Sequence, residues 1–235
     1  MTKRLSAKEL AALAQIDTPT ICNTLDILSP AHQAKGFIVE PFVCLHPRMK
    51  PIVGYARTAT CRAREPSSVK GQAAMDKRFA YWAYLDEGPK PAISIVQDLD
   101  GAQAGFGAFW GEVNSNIHKA LGCLGTVTNG SIRDLDAFAD GFQAIAGLVG
   151  PSHAHVHLVD FAVDVNVLGM VVRDGDLVHA DCHGAVVIPH DVARDVVRTS
   201  ELQARREAVI LVACTGKGFT LEKLKKAYKD AAKVA

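Results

Sequence analysis

The stretch from Gly101 to Asp140, GAQAGFGAFWGEVNSNIHKALGCLGTVTNGSIRDLDAFAD, carries the clearest structural signal in the sequence. The apolar run AISIV at residues 92–96 precedes it and predicts a buried strand. A glycine-rich loop follows, and then a helical pattern in which Val113 and Ile117 share the apolar face. A second strand is predicted from Leu124 to Thr128. We therefore expect a βαβ unit, which places functional groups at the carboxyl ends of its strands.

The second strand is followed by polar and charged residues. Asn129 and Gly130 predict a turn, after which Arg133 and Asp134 are adjacent. Arginine binds a carboxylate with two parallel hydrogen bonds, and a carboxylate oxygen is a ligand that Mg²⁺ or Mn²⁺ prefers. Glu112 opens the predicted helix, where backbone N–H groups and the helix dipole favour anions. This set predicts a site for an anionic substrate held at a divalent metal.

Two other interpretations of these residues stay open. An arginine beside an aspartate in a turn is commonly a surface ion pair, which contributes little to stability. The glycines after a strand are also compatible with a dinucleotide loop. However, residues 105–110 (GFGAFW) lack the third glycine at its usual spacing and place bulky aromatic side chains where a pyrophosphate would bind.

The sequence resembles the RraA-like family, which includes the 4-hydroxy-4-methyl-2-oxoglutarate / 4-carboxy-4-hydroxy-2-oxoadipate aldolases. The similarity rests on an acidic residue, Glu112, followed after twenty residues by Arg133-Asp134, within a G-x-x-G-x-V-x-x-G-x-x-R-D run that starts at Gly122. Residues 18–26 (TPTICNTLD) resemble the opening helix of the family, and residues 175–189 (GDLVHADCHGAVVIP) resemble its closing segment. The resemblance extends over roughly residues 15–205.

The resemblance implies an α/β fold, a three-layer β/β/α swivelling domain that forms homotrimers or homohexamers with sites at subunit interfaces. It implies that Asp134 holds Mg²⁺, Mn²⁺ or another divalent metal, and that Glu112 and Arg133 are catalytic. The substrate, a small keto or hydroxy acid, would be bound by residues of the helix start and by the arginine: Gly111, Glu112, Val113, Asn114 and Arg133.

The implied reaction is that of a metal-dependent carbon–carbon lyase, an aldolase or decarboxylase. Retro-aldol cleavage and oxaloacetate decarboxylation both proceed through a pyruvate enolate, whose developing charge must be stabilised. Glu112 stands where the characterised aldolases have Asp, Asn114 where they have an apolar residue, and Asn23 where they have Asp. A metal-facing Glu donated by the neighbouring subunit has only Glu201 as a candidate counterpart.

The resemblance also implies an alternative function from a different class. Some family members are protein-binding regulators that inhibit ribonuclease E, and such a role needs no turnover at the metal site. Other relatives are described as quinone methyltransferases, but the sequence contains no cofactor-binding motif for that reaction. The complete set of Glu112, Arg133 and Asp134 favours the enzyme.

Composition agrees with a globular chain. Hydrophobic residues make up 49% and charged residues 22% of the 235 residues, and we expect one domain over 1–235 with N-terminal helices and a C-terminal helical extension. The net charge of +1 predicts no general attraction to nucleic acid or membranes. Six scattered cysteines, a charged segment at residues 1–9 and the lack of a long apolar run predict a reduced, cytoplasmic protein.

The flanking segments supply the remaining elements. Helices are predicted from about residue 7 to 15, from Thr20 to Leu28, from Ser67 to Tyr84, from Asp191 to Val212 and around residues 220–229. In the third of these helices the predicted inward residues are Ala73, Phe79, Ala80 and Ala83.

Strands are also predicted outside the βαβ unit. We expect a short strand near residues 37–39, a strand over residues 53–63, and two strands between Leu177 and Ile188. These two are split by Asp181-Cys-His-Gly184, which we interpret as a structural turn. Arg62 and Arg64 are candidates for contact with a second substrate carboxylate, although a solvated strand face is the simpler interpretation.

Three histidines alternate at residues 153, 155 and 157, after a strand predicted over Phe142 to Ile145. On a strand, His153, His155 and His157 would all point to one side, which would permit a zinc or copper site. The alternatives are a half-exposed polar face, or groups that contact the distal end of a substrate, and the resemblance, which places the metal at Asp134, favours these over a separate metal site.

Overall fold

The computed structural model of the chain describes residues 4–235; residues 1–3, part of the charged N-terminal segment, lie outside the described residues. The helices of the described residues are α1 (Ala7–Leu13), α2 (Thr18–Leu28), α3 (Gly71–Glu87), α4 (Glu112–Ala120), α5 (Val196–Thr215) and α6 (Leu221–Ala231). The strands are β1 (Val43–Cys44), β2 (Ile52–Arg62), β3 (Ala92–Asp98), β4 (Ala108–Trp110), β5 (Cys123–Ile132), β6 (Gln143–Val149), β7 (His157–Phe161), β8 (Val165–Val167), β9 (Met170–Val172), β10 (Leu177–Asp181) and β11 (Gly184–Ile188).

One mixed sheet organises the molecule. Its main path runs β1-β6-β5-β3-β2-β10-β11, while β4 pairs with β5 and β7 pairs with β2. Strands β2, β3, β5 and β6 pair in parallel, so the predicted βαβ unit of β3, α4 and β5 is present. The carboxyl ends of these strands therefore lie at one edge of the sheet.

Alternation along β2 explains the layers. Ile52 and Ala56 pack into the core that contains the β8–β9 hairpin, whereas Val53 and Tyr55 pack into the core formed with α1, α2 and α5. Successive side chains of a strand point to opposite faces, so one strand serves both layers. The predicted α/β fold class, with a sheet, a second β layer and helices, is confirmed.

Residues 129 and 130 do not form the predicted turn. Both lie inside β5, because the Asn129 side chain pairs with the backbone of Asp98, at 2.7 Å from its N and 2.9 Å from its O. The register of β5 against β6 shifts between Thr128 and Ser131, which is a bulge rather than a reversal of the chain. The strand thus continues far enough to deliver Arg133 to the edge of the sheet.

Both central helices bury a different face from the predicted one. In α3 the predicted inward residues Ala73, Phe79, Ala80 and Ala83 are all exposed, and Tyr81 and Leu85 are buried instead. In α4 the buried residues are Ser115 and His118, whereas Val113 is 69% exposed. The buried polar groups are satisfied by hydrogen bonds, so apolar periodicity alone indicated the wrong face.

The terminal helices follow their sequence signals closely. Ser6 and Glu9 form a capping box at the start of α1, and the Asp17 side chain accepts a hydrogen bond from the N–H of Thr20 at the start of α2. The strand predicted near residues 37–39 is only a single bridge, from Phe37 to Val186, and the short strand of this region is β1. No helix within residues 4–235 combines the length and the apolar character needed to cross a bilayer.

Candidate functional site

One cavity of about 380 Å³ lies at the carboxyl edge of the sheet. All six site residues predicted from the sequence line it: Gly111, Glu112, Val113, Asn114, Arg133 and Asp134. Residues from α3 and from the segment that leads into β7 line it as well. The cavity therefore has two walls, which we call the α4–β5 wall and the α3–β7 wall.

The backbone fixes the ends of the α4–β5 wall. The N–H of Arg133 donates to the carbonyl oxygen of Trp110 at 3.0 Å, which joins the end of β5 to the end of β4. Asp134 then adopts a left-handed backbone conformation with φ of 54°, which is uncommon for a residue with a side chain. Such strained positions concentrate at functional sites, because the surrounding structure must stabilise them.

The Asp134 carboxylate lies against the start of α4. Its Oδ2 atom is 3.4 Å from the backbone N of Glu112 and 3.6 Å from Nε of Arg133. A Cβ atom on Gly111 would lie 2.5 Å from the same oxygen. The absence of a side chain at Gly111 therefore lets the carboxylate approach the helix, and the arginine and aspartate side chains remain more than a third exposed.

The first turn of α4 presents free hydrogen-bond donors. The N-cap residue, Gly111, has no side chain to cap this helix, and the N–H groups of Val113 and Asn114 have no partner within residues 4–235. The Asn114 side chain donates to the carbonyl oxygen of Phe109 at 2.5 Å, so this residue offers its backbone N–H and not its amide. Unpaired N–H groups at a helix start favour an anionic ligand.

A buried network supports the first turn of α4 from behind. The His118 Nδ1–H donates to the carbonyl oxygen of Asn114 at 2.7 Å, and Nε2 lies 2.9 Å from the hydroxyl of Tyr81 on α3. Burial lowers the pKa of His118 to about 4, with partial opposition from its bond to Asn114. Burial also raises the pKa of Tyr81. The imidazole is thus neutral, and it joins the two walls of the cavity. No local pattern in the sequence indicates His118, because its partner Tyr81 is on another helix.

The three alternating histidines do not share one strand face. The chain turns at Ala154, whose φ is 45°, and β7 begins only at His157. His153 and His157 line the cavity, but His155 does not. Within residues 4–235 the three imidazoles form no cluster with metal-ligand spacing, so the zinc or copper interpretation loses its basis.

A different group, Asp181, Cys182 and His183, does have ligand atoms within 4.8 Å of one another. Its carboxylate is already used: it accepts hydrogen bonds from the backbone N–H groups of Thr18 and His183, each at 2.8 Å. Burial opposes ionisation, but these bonds keep the pKa of Asp181 below its ordinary value. These hydrogen bonds connect the β10–β11 turn to the start of α2, which agrees with the prediction that residues 181–184 form a structural turn.

The other candidates from the sequence lie outside the cavity lining. Arg62 bonds to the carbonyl oxygen of Leu99 at 3.1 Å and to Asp100 at 3.3 Å, and Arg64 lies beyond the end of β2 near Glu65. Neither arginine lines the cavity, and neither does Glu201 of the same chain. The arginine of the α3–β7 wall is Arg78, which the sequence analysis missed because no local motif surrounds it.

Comparison with known proteins supplies the family. A family model described as RraA-like, Aldolase/RraA, matches residues 18–187. The chain belongs to the RraA-like family. This family includes both metal-dependent aldolases or decarboxylases and non-catalytic inhibitors of ribonuclease E. The matched region contains both walls of the cavity.

Two curated proteins are similar in sequence to this chain over part of their length. Protein DlpA of Legionella pneumophila is 23% identical over 154 residues, which cover 62% of this chain and 23% of that protein. The uncharacterized protein MJ0644 of Methanocaldococcus jannaschii is 30% identical over 118 residues, which cover 49% of this chain and 57% of that protein. The chain thus spans less than two thirds of either relative.

Solved structures show the same fold over most of the chain. An uncharacterized protein from Pseudomonas syringae superposes with a TM-score of 0.70 at 22% identity, over 97% of each chain. RraAS2 of Streptomyces coelicolor, described as an unusual member of the RNase ES inhibitor RraA protein family, gives 0.67 at 23% identity over 88% of this chain and 96% of its own. At these identities the likeness concerns the fold.

Proposed function

We propose that the chain is a divalent-metal-dependent carbon–carbon lyase, acting on a small α-keto or hydroxy acid by retro-aldol cleavage or decarboxylation. The observation that carries the proposal is the contact between the two parts of the α4–β5 wall. At the border of one cavity, the Asp134 carboxylate lies 3.4 Å from the backbone N at the start of α4 and 3.6 Å from Nε of the Arg133 guanidinium.

The residues around Asp134 fit a divalent cation. The carboxylate is partly exposed to the cavity, and the bare backbone of Gly111 leaves room beside it. Mg²⁺ takes one or two carboxylates and retains several waters, so a single aspartate at an open cavity is a suitable donor set. We propose that Asp134 holds Mg²⁺ or Mn²⁺, which when bound supplies a Lewis acid beside the keto oxygen.

Arg133 and the first turn of α4 bind and orient the substrate. The guanidinium places a fixed positive charge where negative charge develops on the keto oxygen. The free N–H groups of Val113 and Asn114 donate hydrogen bonds to the substrate carboxylate at the positive end of the helix dipole. The exposed side chain of Val113 covers the adjoining part of the cavity. Together these groups hold the bond to be broken in one orientation.

Glu112 is the proposed acid/base, which removes the hydroxyl proton of the substrate. Its carboxylate has no partner within residues 4–235 and borders the cavity. In retro-aldol cleavage it removes the proton of the hydroxyl group, so that the carbonyl of the leaving fragment forms as the C–C bond breaks. The electron pair of that bond forms the pyruvate enolate, which is then protonated at carbon. Decarboxylation of oxaloacetate yields the same enolate with loss of CO₂.

Release of pyruvate from oxaloacetate tests this proposal. We expect Mg²⁺-dependent release above the rate of the metal alone, abolished by chelator and restored by added Mg²⁺. Asp134→Asn should lose the activity, whereas Asp136→Asn, a matched change at an exposed residue two positions away, should retain it. Turnover that persists in Asp134→Asn would contradict the proposed role of this residue.

The alternative function is inhibition of ribonuclease E. It is supported by the fold shared with RraAS2 and by exposed apolar side chains near the cavity, such as Val113 and Phe79. Tight binding of ribonuclease E without any turnover of oxaloacetate would favour this function over the lyase. We further propose assembly into homotrimers or homohexamers, which light scattering of the purified protein measures directly.

A further inference from the structure

The α3–β7 wall of the cavity has no role in the chemistry described above. Helix α3 and strand β7 are adjacent, since the Lys77 ammonium donates to the carbonyl oxygen of Val159. Apart from Tyr81, whose hydroxyl bonds to His118, the side chains that this wall gives to the cavity are basic or apolar, and none is a carboxylate: Arg78, Trp82, His153, Val156, His157 and Leu158.

The basic groups of this wall are free to bind a ligand. Arg78 makes no hydrogen bond or ion pair within residues 4–235. Nδ1 of His153 lies 2.8 Å from the carbonyl oxygen of Ala154, and Nδ1 of His157 lies 2.8 Å from that of His155. A carbonyl oxygen only accepts, so each Nδ1 carries a hydrogen and each Nε2 is left without a partner in the described chain.

The space between the basic groups is apolar. Trp82, Val156 and Leu158 are half-buried, and Phe109 and Ile117 complete the lining. Trp82 is held by an edge-to-face contact with Phe79, with ring centroids 5.6 Å apart. A cavity of about 380 Å³ accommodates a ligand larger than a four-carbon acid, since it falls in the range of sites for drug-sized molecules.

We propose that the α3–β7 wall is a second subsite, which binds the far end of the substrate as an apolar ring that carries a carboxylate. The inference rests on the proposed function, because the keto-acid end is taken to bind at the α4–β5 wall. Trp82 and its apolar neighbours would pack on the ring, and Arg78 would bind the distal carboxylate, assisted by the Nε2–H that His153 and His157 each donate when both ring nitrogens are protonated.

The substrate class that follows is a 4-aryl-4-hydroxy-2-oxobutanoate with a ring carboxylate. Loss of the C4 hydroxyl proton and cleavage of the C3–C4 bond give an aryl aldehyde. The electron pair of the broken bond remains on C3 as the pyruvate enolate, which takes up one proton. The products are pyruvate and the aldehyde, and the reaction needs no oxidant or reductant.

Three substrates test the subsite with the full chain and Mg²⁺: oxaloacetate, 4-hydroxy-2-oxo-4-phenylbutanoate and its 4-carboxyphenyl analogue. We expect kcat/KM for the carboxyphenyl compound to exceed that for the phenyl compound by about ten-fold or more, because a charge-assisted hydrogen bond is gained. Arg78→Gln should abolish this preference. Arg198→Gln, the same change on the exposed face of α5, should preserve it.

Equal kcat/KM values for the two aryl compounds, or an unchanged preference in Arg78→Gln, would overturn the subsite. If no compound, oxaloacetate included, releases pyruvate, the proposed lyase function fails, and binding then decides the subsite separately. In that case calorimetry compares 4-phenyl-2-oxobutanoate with its 4-carboxyphenyl analogue, neither of which can undergo retro-aldol cleavage. Tighter binding of the carboxylate, lost in Arg78→Gln alone, supports the subsite; equal binding refutes it.

Discussion

The two walls of the cavity are built in different ways. The α4–β5 wall comes from one continuous stretch, in which a helix start and a strand end are neighbours in a βαβ unit. The α3–β7 wall combines a helix and a strand that are far apart in the sequence. The first wall concentrates carboxylates and free N–H groups, whereas the second is basic and apolar. The residues proposed for the chemistry are thus close together in the sequence, whereas those proposed to select the substrate are brought together only by the packing of α3 beside β7.

The largest expected effect is at Gly111, because a side chain at this position would prevent the Asp134 carboxylate from approaching the start of α4. Gly111→Ala would place Cβ 2.5 Å from Oδ2 of Asp134 and displace the carboxylate. We expect a loss of about a hundred-fold in kcat/KM for oxaloacetate, as for other displacements of about 1 Å. The backbone of Gly111 is extended, so its folding should be little affected.

Gly150→Ala is the matched control for this change, because its Cβ would meet its nearest atom at 3.4 Å and its backbone is not left-handed. Steady-state kinetics and thermal unfolding of both variants distinguish a displaced carboxylate from a general loss of stability. Equal activity of Gly111→Ala and Gly150→Ala would show that the close approach of Asp134 is not required.

The link between the walls depends on a neutral His118. Its pKa in the fold is about 4, lowered by burial, while an exposed histidine titrates near 6.5. Between these values the unfolded chain binds a proton that the folded chain excludes. Stability should therefore fall as the pH decreases from about 6.5 towards 4, by roughly 1.4 kcal/mol per pH unit.

Urea unfolding at a series of pH values measures this loss. His118→Gln should lower the free energy of unfolding at neutral pH. Between about pH 6.5 and 4, however, its free energy of unfolding should depend on pH less steeply, because unfolding of this variant takes up about one proton fewer. His179, whose pKa is also lowered by burial, contributes in the same direction in both proteins and cancels in the difference. Identical pH dependence in the two proteins would refute the buried neutral state of His118.

The hydroxyl of Tyr81 joins α3 to α4 and therefore one wall to the other. Tyr81→Phe would leave Nε2 of His118 buried without its partner at 2.9 Å. We expect a loss of about 1–3 kcal/mol in the free energy of unfolding. Tyr228→Phe, at a residue that is 60% exposed, should change it by less than about 0.5 kcal/mol. Equal unfolding free energies for the two variants would contradict the link.

The smallest expected effects on kcat/KM are those of substitutions at His157, which lines the cavity, and His155, which does not. His157→Ala should reduce kcat/KM for the carboxyphenyl substrate several-fold, because the hydrogen bond that the protonated Nε2 donates to the distal carboxylate is lost. His155→Ala, at a residue that does not line the cavity, should remain within about two-fold of the original chain. If His155→Ala has the larger effect, the proposed arrangement of the subsite is wrong.

The sequence predicted the order of β3, α4 and β5 because their apolar runs and the glycine after the helix are local signals. It predicted the wrong buried faces of α3 and α4, since periodicity counts only apolar residues. On α4 the buried Ser115 donates to the carbonyl oxygen of Glu112 and accepts from the N–H of Ala139, and His118 bonds to Tyr81. Ala139 and Tyr81 lie outside α4, so no local pattern indicates these contacts.

The same limit explains the histidines and the missed arginine. Alternation at residues 153–157 suggested a strand, but the chain turns at Ala154 before β7 begins. Arg78 has no distinctive neighbours in sequence and borders the cavity only because α3 packs beside β7. Asn129 and Gly130 failed as a turn signal for a related reason, since the Asn129 side chain bonds to the backbone of Asp98 on the neighbouring strand.

Binding of Mn²⁺, followed by electron paramagnetic resonance with oxalate as a mimic of the pyruvate enolate, directly tests whether Asp134 holds the divalent metal. It compares the original chain with Asp134→Asn and with the matched Asp136→Asn. We expect one Mn²⁺ per chain, bound more tightly when oxalate is present, and an affinity at least about ten-fold lower in Asp134→Asn alone. Equal Mn²⁺ affinity in Asp134→Asn and Asp136→Asn would contradict it.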